Sequence, residues 1–100
     1  MALGMIIRDV YSKDDRQEMV KVLREFLCGS WNTAGIYCFW DPDTHDALYL
    51  GLSKDLAARF AQHNGLKGTP GKGNKANEID AWFGTHERLG YSIIVQSSSA

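Results

Sequence analysis

The sequence predicts an α+β (α/β) domain, a small three-stranded and mostly antiparallel sheet flanked by helices, with one extra helix at the N-terminus. Three observations predict it. Residues 34–40 and 47–52 are strand-like runs on either side of Asp41-Pro42-Asp43-Thr44-His45-Asp46, a stretch of turn formers, so they read as a β-hairpin. Leu56, Arg59, Phe60 and His63 then follow the i, i+3, i+4, i+7 spacing of a helix with one packed face. Residues 91–95 supply a third strand. One hundred residues is close to the commonest domain size, so one core is expected, burying roughly 60–70% of the unfolded surface without disulfide or structural metal.

Each element has a local reason. Ser12 precedes Asp14, Asp15 and Glu18, acidic residues that favour a helix N-terminus, and Gly29 is a stop signal. Met19, Leu23, Phe26 and Leu27 recur between them, giving a helix over 13–28 that packs this stripe on the domain or meets a partner. Residues 1–32 are thus read as an N-terminal helical extension and 33–100 as the functional unit. Both hairpin strands carry apolar groups on both alternating faces, the pattern of a sheet covered on both sides. Ser53 is a good N-cap for a helix over 54–63. Residues 65–74 hold four glycines and Pro70 and read as a mobile loop. Ile79, Trp82 and Phe83 share one side of a helix over 74–86, and the closing serines are expected to fray.

Composition excludes several classes. No apolar run reaches 18 residues, so no membrane span is implied. Cys28 and Cys38 are too few and too separated for a disulfide scaffold or a zinc finger, and no cleavable signal is recognisable. A cytoplasmic protein with reduced, buried thiols is expected. No window fits the Gly-x4-Gly-Lys-Ser/Thr phosphate loop, which argues against a nucleotide cofactor. His45, His63 and His86 form no close pair at ligand spacing. Net charge is only −1, yet residues 54–76 carry Lys54, Arg59, Lys67, Lys72 and Lys75 against Asp55 alone. One face can therefore be positive, or the lysines of a loop can serve solubility.

Gly35-Ile36-Tyr37, Tyr49-Leu50-Gly51 and the run from Ser53 through Arg59 to His63 resemble the GIY-YIG endonuclease family, with leucine in place of the usual central isoleucine of the second tripeptide. The resemblance covers residues 33–63, where the spacing agrees throughout. It implies metal-dependent DNA cleavage with Mg²⁺ as the ion, DNA as partner, and a further domain or protein partner supplying specificity. The candidate catalytic residues are Tyr37, Tyr49, Arg59 and His63. Candidate substrate contacts are Gly51, Ser53 and Lys54 at the hairpin-to-helix junction, with Lys67, Lys72 and Lys75 in the loop beyond.

The chemistry fits those roles. Phosphodiester hydrolysis needs an activated water, stabilised phosphoryl charge and help for the leaving oxygen. With a hairpin loop symmetric about Asp43, Tyr37 and Tyr49 face each other, with Cβ atoms about 5 Å apart. Tyr37 is the candidate general base, but a phenol is only about 0.1% ionised at pH 7 and needs a nearby cation, for which Arg59 is placed. His63, one turn on, can donate to phosphate or move a proton, or simply cap its helix. The family's metal-binding glutamate is expected on a helix after the third strand, where this chain ends, so the metal ligand is unassigned. Glu78 and Glu87 both precede that strand. Truncation is the favoured account; the alternatives are a catalytically inactive DNA-binding module of the same fold, or Glu78 or Glu87 reaching the site from an unexpected direction.

Overall fold

The computed structural model describes residues 4–29 and 31–97. In chain order they form β1 (Gly4–Ser12), a 3₁₀ turn at Lys13–Asp15, α1 (Arg16–Phe26), β2 (Trp31–Trp40), β3 (Ala47–Ser53), α2 (Leu56–His63), α3 (Ala76–Thr85) and β4 (Arg88–Ser97). The sheet has four strands in the order β1-β4-β2-β3, every pair antiparallel, one more than the sequence reading allows. The added strand lies in the stretch read as a helical extension, where β1 pairs with β4 from Gly4↔Gln96 to Ser12↔Arg88. Arg8 and Asp9 interrupt its apolar pattern, which is why period-two alternation does not announce it.

All three helices contribute to one core on one face of the sheet. Tyr11, Tyr37, Phe39, Tyr91, Ile93 and Val95 point into it from the strands. Val20, Leu23 and Leu27 from α1 and its end, Leu56 and Phe60 from α2 and Ile79 from α3 complete it. Phe26, expected in the α1 stripe, is exposed, and Val20 takes the inward place.

The opposite face is open among the described residues, against the expectation of cover on both sides. Register puts Ile6, Ile94, Ile36 and Leu52 in one row across all four strands, with Ile6 71% and Leu52 78% exposed. Cys28 is exposed and Cys38 half-buried, so the thiols are not the core residues that were expected. No helix of the described residues is long and apolar enough to cross a membrane.

Local chemistry fixes the elements that carry the site. Asp55, rather than Ser53, caps α2, its carboxylate accepting from the Ala58 N–H (3.0 Å). Ser53 Oγ instead accepts from the Asp55 N–H (3.0 Å), shaping the turn before the cap. Asp41 Oδ1 accepts from the Asp43 N–H (2.8 Å), which holds its carboxyl below the usual range and nucleates the hairpin turn. The loop over 65–74, read as mobile, is tied down by Asn74. Its Nδ2 donates to Thr69 O (3.0 Å) and its Oδ1 accepts from Gly71 N–H (2.9 Å) and Ala76 N–H (3.1 Å).

Candidate functional site

Tyr37 and Tyr49 project from the covered face, but not as a directly opposed pair. The ladder pairs Tyr37 with Gly51 and Phe39 with Tyr49, and its register shifts between Phe39 and Trp40, where Trp40 meets Ala47. The hairpin is therefore centred on Thr44 rather than Asp43 over these pairs, and the tyrosines are diagonal neighbours with ring centroids 6.1 Å apart. This register explains a signature glycine. A Cβ at Gly51 would lie 2.4 Å from the Tyr37 ring and hydroxyl, so the phenol occupies space that only glycine leaves open. Gly35 serves a related purpose, since a Cβ there would lie 2.3 Å from Ile94 O on the central strand.

His63 closes α2 and is fully buried. Its Nδ1 receives the Lys75 N–H (2.9 Å), and a backbone amide can only donate. The proton of the neutral ring therefore sits on Nε2, which donates to Tyr37 Oη (2.8 Å). Burial, with Arg59 and Lys75 nearby, lowers the His63 pKa to about 4 and keeps the ring neutral. Of the three roles considered for His63, phosphate donor, proton mover or helix cap, the direct phosphate contact and the cap lose support because both nitrogens are engaged elsewhere. It holds Tyr37. That phenol is itself 2% exposed, and burial pushes its pKa above the ordinary value, with Arg59 pulling the other way and Tyr49 adding to the rise.

Arg59 sits at the border of the packed face, as its spacing predicts. Its Nη1 donates to Gln62 Oε1 (2.8 Å) and its Nη2 to Gly73 O (2.8 Å), so the guanidinium is oriented before any ligand arrives. Lys75, at the start of α3, places its Nζ 5.0 Å from the Tyr49 ring centre. A cavity of about 330 Å³ opens among Tyr49, Arg59, His63, Gly71, Gly73, Asn74, Lys75 and Glu78. Among the described residues neither Arg59 nor Lys75 makes an ion pair; the one found joins Lys13 to Asp80. The wall of the cavity therefore carries two cations, neither in an ion pair, against one carboxylate, that of Glu78, a net positive balance that favours anions.

The structure thus brings together Tyr37, Tyr49, Arg59, His63 and Lys75, with Gly51 behind the Tyr37 ring. It separates the rest. Ser53 and Lys54 line a different concavity, of about 640 Å³, with Ile36, Leu52 and Ile94 on the open face. Lys67 and Lys72 are exposed on the loop and do not line the cavity. Glu78, which was weighed but given no role, is the sole acidic residue lining it. Its signal was its place three residues after Lys75, next to the buried Ile79, but only the fold of the intervening loop turns that turn of helix toward Arg59.

No group of three or more His, Cys, Asp or Glu able to hold a metal exists among the described residues. One carboxylate beside an anion site still fits Mg²⁺, which is held through one or two carboxylates with substrate phosphates and water. Compared with known proteins, the chain matches no family model, no characterised protein and no solved structure.

Proposed function

We propose that the chain is a metal-dependent phosphodiesterase acting on DNA, as its resemblance to the GIY-YIG endonucleases implies. The observation that carries this reading is the convergence of Arg59, Lys75, Tyr49 and Glu78 on one cavity, backed by the His63–Tyr37 hydrogen bond. Arg59, fixed by Gln62 and Gly73, offers planar donors to the phosphoryl oxygens without reorganising, and Lys75 adds a second charge. Tyr49 presents its hydroxyl to the phosphate or to the attacking water. Tyr37 accepts from His63, so its own proton is not committed to that ring, and its use as a base depends on Arg59 offsetting the cost of a buried phenolate. When bound, a divalent ion supplies charge neutralisation at the leaving oxygen, and Glu78 is the residue that would hold it. Lys67 and Lys72 serve neighbouring phosphates along the strand.

A second reading is supported by the depth of Tyr37. A phenol that burial keeps protonated suits a module that binds DNA without cutting it. Cleavage of supercoiled plasmid with Mg²⁺ separates the two. The enzyme reading expects cutting that falls about 10²–10³-fold in Arg59→Ala with an unchanged melting curve, and that is lost in Glu78→Gln. Salt-sensitive DNA binding with no cutting would establish the module instead. Replacing Lys67, Lys72 and Lys75 together should flatten the salt dependence in either case.

A further inference from the structure

The polar cavity does not end at Tyr49. A second cleft, of about 240 Å³, adjoins it and shares Tyr49, Lys75 and Glu78 as common wall. Beyond that wall the lining changes character to Leu48, Ile79 and Trp82. We propose that this cleft receives one nucleobase, so that the site takes a nucleotide as a unit, with its phosphate against Arg59 and Lys75 and its base unstacked beside Trp82. The inference rests on the phosphate reading above and adds a substrate class, single-stranded or frayed DNA.

Three features support it. Leu48 is the extra residue of the β-bulge, since Phe39 pairs with Tyr49 and Trp40 with Ala47, and the bulge leaves this large apolar side chain 47% exposed at the cleft. Bulges beside functional sites commonly re-aim a side chain in this way. Trp82 is held in place, its Nε1 donating to Arg88 O (2.8 Å) and its ring stacked on His86 with centroids 3.7 Å apart and planes 6° from parallel. Tyr49 is held likewise, against His63 (5.5 Å between centroids) and beneath Lys75 Nζ. Aromatic walls whose orientation is already set lose little freedom when a flat ring enters. At the junction, the Lys75 ammonium and the Glu78 carboxylate offer one donor and one acceptor to the base edge or sugar. A base inside a duplex is stacked and paired and cannot enter a cleft walled on both sides, so the occupant must be unpaired.

The test uses the full chain and four probes: deoxyadenosine, deoxyadenosine 5′-monophosphate, deoxyribose 5-phosphate, and a short single strand with or without one abasic position. Binding is read by nuclear magnetic resonance at the Trp82 indole N–H and the Leu48 methyls. The expected result is that the nucleotide binds about ten- to hundredfold tighter than the sugar phosphate, the range that base–aromatic stacking provides. The nucleoside alone should still shift both reporters, and the abasic strand should bind more weakly than the intact one. Leu48→Trp, which fills the cleft mouth, and Leu48→Glu, which charges it, should each bring the ratio to about one, with melting curves to show that both fold. Sugar phosphate binding as tightly as nucleotide, with no response to the nucleoside, would overturn the cleft inference and leave the phosphate site standing. Reporters that respond to the nucleoside while phosphate adds nothing would overturn the phosphate reading, and with it the nucleotide as a unit.

Discussion

Ile93 and Ile94 are consecutive on β4 and chemically identical, yet one is 1% exposed and the other 46%. They divide the molecule into its two faces. On the Ile93 side every helix packs, and Tyr37, Tyr49, Arg59 and His63 are assembled over that packing. On the Ile94 side an apolar row of similar character is left without cover among the described residues. What separates a core from a surface here is not the composition of the strand but which face the helices reach. An open apolar face of this kind is also the part of a domain best suited to contact something else.

The comparison is broken most directly by truncating the two isoleucines. Ile93→Ala should cost about 2–5 kcal/mol, because it opens a cavity in the core, whereas Ile94→Ala should cost under about 1 kcal/mol. In a domain of 5–15 kcal/mol total stability, the first loss approaches unfolding. Urea denaturation of both variants decides it, and equal costs would mean that the open face is covered in solution.

Acid should also act through the helical face. His63 has an ordinary pKa of 6.5 and a folded value of about 4, so the unfolded chain binds the extra proton between those limits. Its contribution is fully present above pH 6.5 and is lost progressively down to about pH 4, by roughly 3 kcal/mol in all. Unfolding midpoints of the native chain and of His63→Gln, measured from pH 7.5 to 4, isolate the term as their difference. A difference that does not change with pH would show that burial leaves the His63 pKa where it stands in the unfolded chain.

These effects bear on how much the sequence disclosed. Tyr37, Tyr49, Arg59 and His63 were singled out by the family resemblance, and their shared side was legible because short-range periodicity fixes which side of a strand or helix a residue takes. The register was not, since it follows from closing a particular hairpin turn: Tyr37 pairs with Gly51 rather than Tyr49, and Leu48 is left as a bulge. Lys75 and Glu78 join Arg59 only through the path of the loop over 65–74, which Asn74 pins and no local pattern encodes. The strand at Gly4–Ser12 was hidden by Arg8 and Asp9. The open face was unreadable in principle: alternating apolar residues on both sides of a strand state that either face can be buried, and not which one is.

Gly51→Ala sharpens the account of the site at intermediate cost. Its Cβ would intrude on the Tyr37 ring, so the phenol must move, at about 1–3 kcal/mol for overpacking. Loss of the His63 contact should accompany it, visible as a shift of the His63 ring resonances. An alanine accepted with neither change would show that Tyr37 is free to leave its place against Gly51.

The smallest effect is expected from Leu52→Lys. Leu52 is 78% exposed at the end of the row Ile6, Ile94, Ile36 and Leu52, on an edge strand whose seven residues, Ala47–Ser53, carry no charge. A lysine there keeps an aliphatic stem along the sheet and lifts its ammonium into water, so stability should change by no more than about 0.5 kcal/mol. It also places a charge on an otherwise unprotected edge, which should improve solubility at high concentration. The informative control is the melting temperature over a hundredfold range of protein concentration. If the native chain melts higher as concentration rises while Leu52→Lys does not, the open face is closed by self-association, and the contrast between Ile93 and Ile94 belongs to the monomer alone.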